Sequence, residues 1–144
     1  MKSLMMLKLN WRKNSMKKVL ILSLFALVIL LTGCAQTKVV LKVLESNELT
    51  ETRLDSFSDY LDYKDELDFE YQSNFFGNRF LYIYVVTVGD SSPSFTILDS
   101  IYDEGIYTLN VGMTTDDPGP NMTYALIFEI PKYPHVDTIN INIV

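Results

Sequence analysis

Three kinds of residue in this 144-residue chain could do chemistry: one cysteine, a serine in a glycine-aspartate turn, and a crowd of carboxylates. Cys34 is the chain's single cysteine, so it has no partner for an intramolecular disulfide. His135, the single histidine, lies far along the chain, which leaves Cys34 without the soft ligand set a zinc site needs. It also lacks the second cysteine of a redox motif. What remains for Cys34 is modification at its sulfur. Ser91 sits in "VTVGDSS" and would become a nucleophile only beside a base, for which His135 is the one imidazole. The 18 Asp and Glu residues could pair as glycoside hydrolysis requires, but no segment singles out one pair.

The position of Cys34 is informative. Upstream runs the basic stretch "WRKNSMKK", then "VLILSLFALVILL" without a charge, then small residues, which is the layout of a secretory signal. The apolar run is short of the roughly 20 residues that span a hydrocarbon core. Leu31-Thr32-Gly33-Cys34 looks like a bacterial lipobox. In such lipoproteins the chain is cut before the cysteine and its sulfur carries a diacylglycerol. The resemblance implies a signal peptide over 1–33, lipid attachment at Cys34 and a tether over 34–37. A single β-rich extracytoplasmic domain would follow over 38–144, on a cell membrane or outer membrane. Acyl chains contribute about 0.8 kcal/mol per buried methylene, so two or more hold firmly. An uncleaved anchor and an ordinary secreted chain are the alternatives. Met16 opens a complete signal by itself, so residues 1–15 are either an extended basic region or precede the true start.

Charge divides sharply at the same point. Lys2, Lys8, Arg12, Lys13, Lys17 and Lys18 precede Cys34, leaving six of the 12 basic residues beyond it against all 18 acids. Such an acidic domain is unsuited to phosphate backbones, which need Lys and Arg to displace counterions. It would be repelled by anionic headgroups, so a lipid must hold it at a membrane. "DYKDELDFE" lacks the spacing and the glycine of a calcium loop. No residue pattern calls for a cofactor or metal.

The hydrolase reading of Ser91 is testable against known blocks. "GDSS" resembles the first block of GDSL-type hydrolases, which pair the serine with an Asp-x-x-His; here Lys132 stands three before His135. It also resembles the Gly-Asp-Ser-Gly of trypsin-like proteases, but Ser92 replaces the last glycine and the histidine follows the serine. His135 then reads as a solvated loop residue.

The elements that must position these residues are mostly strands. Ile139, Ile141 and Ile143 alternate with Asn and Thr in "VDTININIV". Tyr107, Leu109, Val111 and Met113 share one face of "IYTLNVGM", as do Met122, Tyr124, Leu126, Phe128 and Ile130 of "NMTYALIFEI". This period of two marks half-buried antiparallel strands. "RFLYIYVVTV" is apolar on both faces and reads as a central strand. "TKVVLKVLES" reads as another strand. Turns fall at Gly89–Pro93, Asp103–Gly105 and Asp116–Asn121. Together these predict a mostly β fold, a small antiparallel β-sandwich or partly open barrel. One short helix within 52–66 is compatible with Leu54, Phe57, Leu61 and Asp65 on a common face, as is a loop. Tyr82, Tyr84, Tyr107 and Tyr124 fit strand packing, whereas Tyr60, Tyr63 and Tyr71 do not.

From about Leu67 onward the chain resembles the C-terminal domain of PrcB-like lipoproteins, bacterial subunits that associate with a secreted protease. Asp68-Phe69, Gly89, Pro118-Gly119 and Pro131-Lys132 carry the resemblance. The family's Pro-Thr-x-Gly-Tyr element has no full counterpart in the segment from Asp90 to Leu98, where Pro93 alone corresponds. The resemblance implies a membrane-anchored, non-enzymatic domain that binds another extracytoplasmic protein, a secreted protease among the candidates. Its contact elements are expected at Gly89, Asp90, Ser91 and Pro93 and at Asp117, Pro118 and Gly119, because rigid sheets present function on loops. The rival is a small-ligand or glycan-binding lipoprotein, which would need a pocket between the sheet and residues 52–70.

Overall fold

Residues 38–90, 92–116 and 118–144 are described by a computed structural model, the side chain of Asp90 excepted. The predicted signal, Cys34 and tether lie outside them, as do Ser91 and Asp117. The described chain is mostly β. Strands β1 (Val40–Glu45), β2 (Thr52–Leu54), β3 (Arg79–Asp90) and β6 (Pro118–Pro131) form an antiparallel sheet in the order β1-β6-β3-β2. Strands β4 (Ser94–Asp103), β5 (Ile106–Thr114) and β7 (Thr138–Ile143) form a second sheet in that order. Short helices α1 (Phe57–Leu61), α2 (Lys64–Leu67) and α3 (Phe75–Asn78) pack against the first sheet.

The first sheet is therefore covered on both faces. On one side Phe80, Leu126, Phe128 and Ile130 meet Tyr107, Leu109 and Val111 of the second sheet. On the other, Leu81, Ile83, Ala125 and Ile127 meet Tyr60, Leu67, Tyr71 and Phe76 of the helical layer. The central placement of β3 agrees with its apolar character. β6 differs from the half-buried strand its alternation predicts: Tyr124 through Phe128 are all buried, because the helices cover the face that carries Ala125 and Ile127.

Two further expectations need correction. Not every strand pair is antiparallel, since β7 runs parallel to β5, from Ile106 opposite Thr138 to Val111 opposite Ile143. Parallel neighbours need a crossover, and β6, lying in the opposite sheet, provides it. The N–H groups of Asp137 and Thr138 both donate to the Gly105 carbonyl, at 2.8 and 3.2 Å, and so set the register.

Segment 52–66 does hold a short helix, α1, but it spans only Phe57–Leu61 and excludes Leu54 and Asp65 from the expected common face. Leu54 belongs to β2, paired with Leu81. Ser56 then caps α1: its Oγ accepts from the Asp59 N–H at 3.1 Å, while the Ser56 N–H donates to Asp59 Oδ2 at 2.9 Å. This reciprocal box starts the helix at Phe57. The inward face becomes Phe57 and Tyr60, so Tyr60 is 1 % exposed and Leu61 51 %.

The β4–β5 hairpin turns through Glu104 (φ 43°) and Gly105 (φ 88°). Two consecutive left-handed residues make the two-residue turn whose twist suits flanking strands.

Candidate functional site: paired loops at one end of the first sheet

The β3–β6 ladder is regular from Arg79 opposite Pro131 to Val88 opposite Met122, then shifts so that Asp90 faces Pro118. Two steps along β3 are matched by four along β6, which bows Gly119, Pro120 and Asn121 out of register. Pro118 and Pro120 have no N–H to give a ladder, so their strand end tolerates this break. The result brings together parts of the two segments predicted as turns. Gly89-Asp90 and Pro118–Asn121 are the irregular ends of β3 and β6, and with the residues that follow and precede them they make up the paired loops. A Cβ on Gly89 would stand 3.3 Å from Asn121 Oδ1 and 4.0 Å from the Gly119 carbonyl. The backbone of β3 thus lies directly against the Pro118–Asn121 bow.

The surroundings hold this end in place. Val88 is buried beneath it. Thr87 Oγ1 and Thr123 Oγ1 are 3.3 Å apart across the ladder. The Phe95 and Tyr124 rings, with centroids 6.0 Å apart, tie the start of β4 to β6. Gly89, Ser92 and Pro118 through Asn121 are exposed, and Pro93 is half-buried. Chemically this surface offers backbone carbonyls, prolines of fixed φ and an exposed amide. That suits recognition by shape and hydrogen bonding.

His135 lies elsewhere. Its carbonyl accepts the Tyr102 hydroxyl at 2.8 Å, and its Nε2 is 2.9 Å from Asp137 Oδ1. Tyr102 is eight residues along β4 from Ser94, roughly 26 Å at the usual rise of a strand. The imidazole is therefore beside the β4–β5 turn, at the far end of that strand from the Gly89–Pro93 loop.

The place where a small-ligand pocket was expected, between the sheet and residues 52–70, is filled by Leu54, Tyr60, Leu67, Tyr71 and Phe76. Their rings meet at centroid distances such as 5.5 Å for Tyr60–Tyr71 and 5.9 Å for Tyr60–Phe76. This accounts for the tyrosines that strand packing left over. An open groove of about 370 Å³ runs instead between β1 and β4, lined by Lys38 to Leu41 and Phe95 to Ile97.

One polar cluster had no signal in the sequence. Lys42 Nζ is 2.8 Å from Glu129 Oε1 and donates to the Tyr71 hydroxyl at 3.0 Å. That hydroxyl donates in turn to Glu129 Oε1 at 3.0 Å. The ammonium also lies 4.5 Å from the Tyr71 ring centroid and 4.9 Å from that of Phe69. Burial, and then the Glu129 carboxylate, push the Tyr71 hydroxyl well above its ordinary value. It stays protonated and serves as a donor. The three groups satisfy one another, so they lock the 69–71 segment onto β1 and β6. Among the described residues no cluster of His, Cys, Asp and Glu could hold a metal, and no helix is long and apolar enough to cross a membrane.

Of the residues that carry the family resemblance, Asp68 takes a left-handed conformation (φ 48°) after α2, and Phe69 packs on the helical-side core. Gly89 and Pro118-Gly119 form the paired loops. Pro131 closes β6, and the Lys132 ammonium donates to the carbonyls of Asp55 and Phe76. Comparison with protein-family models, with curated proteins and with solved structures gives no match for this chain.

Proposed function

We propose that this chain is a lipoprotein held at the extracytoplasmic face of a cell membrane or outer membrane through Cys34. In this reading its β-domain binds another extracytoplasmic protein, without catalysis, through the paired loops. A secreted protease is the partner that the resemblance to PrcB-like subunits suggests. The observation that supports a contact surface is the meeting of Gly89 with Gly119 and Asn121 at one exposed end of the sheet. Tethering would localise and stabilise the partner by mass action. With 18 acids against six basic residues beyond the leader, the domain favours a partner of positive surface charge.

Site-specific photo-crosslinking in native membranes tests the loops. A crosslinker at Ser92 or Pro120 should capture one discrete protein that a crosslinker at Glu104, at the tip of the opposite hairpin, does not. Equal capture from both positions would remove the loops from the reading. The anchor is tested separately by intact mass: Cys34→Ala should lose both the acyl mass and membrane partitioning.

A further inference from the structure

Among the described residues the two sheets have four strand edges, and three of them carry features that discourage pairing with another chain. β2 is three residues long. β1 places Lys42 and Glu45 along its length. β4 is interrupted by a bulge at Leu98, between Ile97 and Asp99, and carries Asp99 and Asp103. β7 has none of these. Thr138 through Ile143 contain no charge, no proline and no glycine, in a domain dense with carboxylates. The strand pairs with β5 on one side and ends its sheet on the other.

Its side chains point the same way. Ile139, Ile141 and Ile143 face the core between the sheets yet are only half-buried, so the core is open along this edge. Thr138, Asn140 and Asn142 are exposed on the outer face, where Asn142 Nδ2 donates to Asn110 Oδ1 at 2.9 Å. The adjacent outer positions on β5, Ile106, Thr108, Asn110 and Gly112, are also uncharged. The strip itself is uncharged, with Asp99 at its β4 side, accepting from Asn110, and Asp137 before its first residue. Two such acidic molecules can therefore approach along it without placing charges directly opposite each other.

We propose that β7 pairs antiparallel with β7 of a second copy of this chain, joining two three-stranded sheets into one of six strands. An antiparallel pair of identical strands is self-complementary about a two-fold axis. It would satisfy the outward backbone groups of both edges and cover the half-buried isoleucines. The surface is separate from the paired loops and does not depend on how they function. Association through one pair of edge strands should depend on protein concentration.

Sedimentation of the full chain in density-matched detergent, from dilute to concentrated, tests this. The wild type should pass from monomer to dimer as concentration rises. Asn140→Lys and Asn140→Asp place like charges close together across the axis, and each should remain monomeric where the wild type is dimeric. An equimolar mixture of the two should recover the dimer, which a folding defect would not allow. A wild type that stays monomeric throughout overturns the proposal, as does a dimer that survives either substitution or a mixture that fails to re-form it. A monomer whose β7 edge takes up an added TININIV peptide would give the edge to a partner's strand and overturn the second copy as its occupant.

Discussion

Lys42 on β1 and Glu129 on β6 form a 2.8 Å ion pair at the margin of the helical layer, with side chains 32 % and 13 % exposed. The pair is diagonal across the ladder, since Val40 is the residue opposite Glu129. Both groups reach the Tyr71 hydroxyl, so the pair fastens the segment between α2 and α3 to the sheet. Removing one partner of such a pair strands the other in a poorly solvated place, which costs more than the pair is worth.

Lys42→Met should accordingly destabilise the fold by about 2 kcal/mol in urea unfolding. Adding Glu129→Gln should recover part of the loss, because the stranded carboxylate is then gone. Two additive losses would mean that the residues are not coupled.

Tyr60 holds the same segment from inside. Its hydroxyl donates to the Phe69 carbonyl at 2.9 Å and accepts the Tyr71 N–H at 3.3 Å. Tyr60→Phe keeps the ring contacts but leaves a buried N–H and a carbonyl without this partner. The expected loss is about 1–3 kcal/mol by thermal or chemical unfolding. A neutral result would mean that water takes over both bonds.

Much of the β architecture is legible in alternation alone. Tyr107, Leu109 and Val111 declare the inner face of β5, and the two-sided apolar run of β3 declares an interior strand. The Glu104–Gly105 turn is equally plain from its residue types. Alternation reports which face is buried and says nothing about which strand lies alongside, so the parallel β5–β7 pair was hidden. The helical layer was half-hidden for another reason. Its helices are too short for a 3.6-residue period to establish itself, and the signal that does mark α1 is the Ser56–Asp59 capping box. The paired loops were flagged by Gly89 and Pro118-Gly119, but their adjacency follows from the β3–β6 register. The Lys42–Tyr71–Glu129 cluster joins residues 29 and 58 apart, beyond the reach of any local pattern.

Alkaline pH should weaken the fold through two tyrosines. Burial and the neighbouring Glu129 raise Tyr71, while burial, then a hydrogen bond to Glu51, push Tyr82 from 10.0 up to about 12. Above pH 10 the unfolded chain gives up these protons before the folded one does. The folded state then binds more protons, so stability falls as pH rises. For Tyr82 the contribution is intact below pH 10 and gone by about 12. Urea midpoints should therefore decline from about pH 10 upward. Tyr82→Phe and Tyr71→Phe should each flatten that decline, and an unchanged slope in both would assign it to other groups.

Gly105 and Gly77 should answer the same substitution in opposite directions. Gly105 has φ 88°, and a Cβ there would come within 2.6 Å of Asp137 Oδ2. Gly105→Ala therefore meets both a backbone penalty and a collision at the turn whose carbonyl receives Asp137 and Thr138. A loss of about 1–3 kcal/mol is expected. Pairing it with Asp137→Ala should restore only the part due to the collision, because the left-handed backbone remains. Gly77 lies within α3 with nothing within 4 Å of its Cβ position. Gly77→Ala should stabilise by about 0.5–1 kcal/mol, by limiting the unfolded chain and improving helix propensity. Paired urea denaturation curves would measure both changes. If Gly77→Ala proved destabilising, the short helix would owe its stability to tertiary packing that an added methyl disturbs.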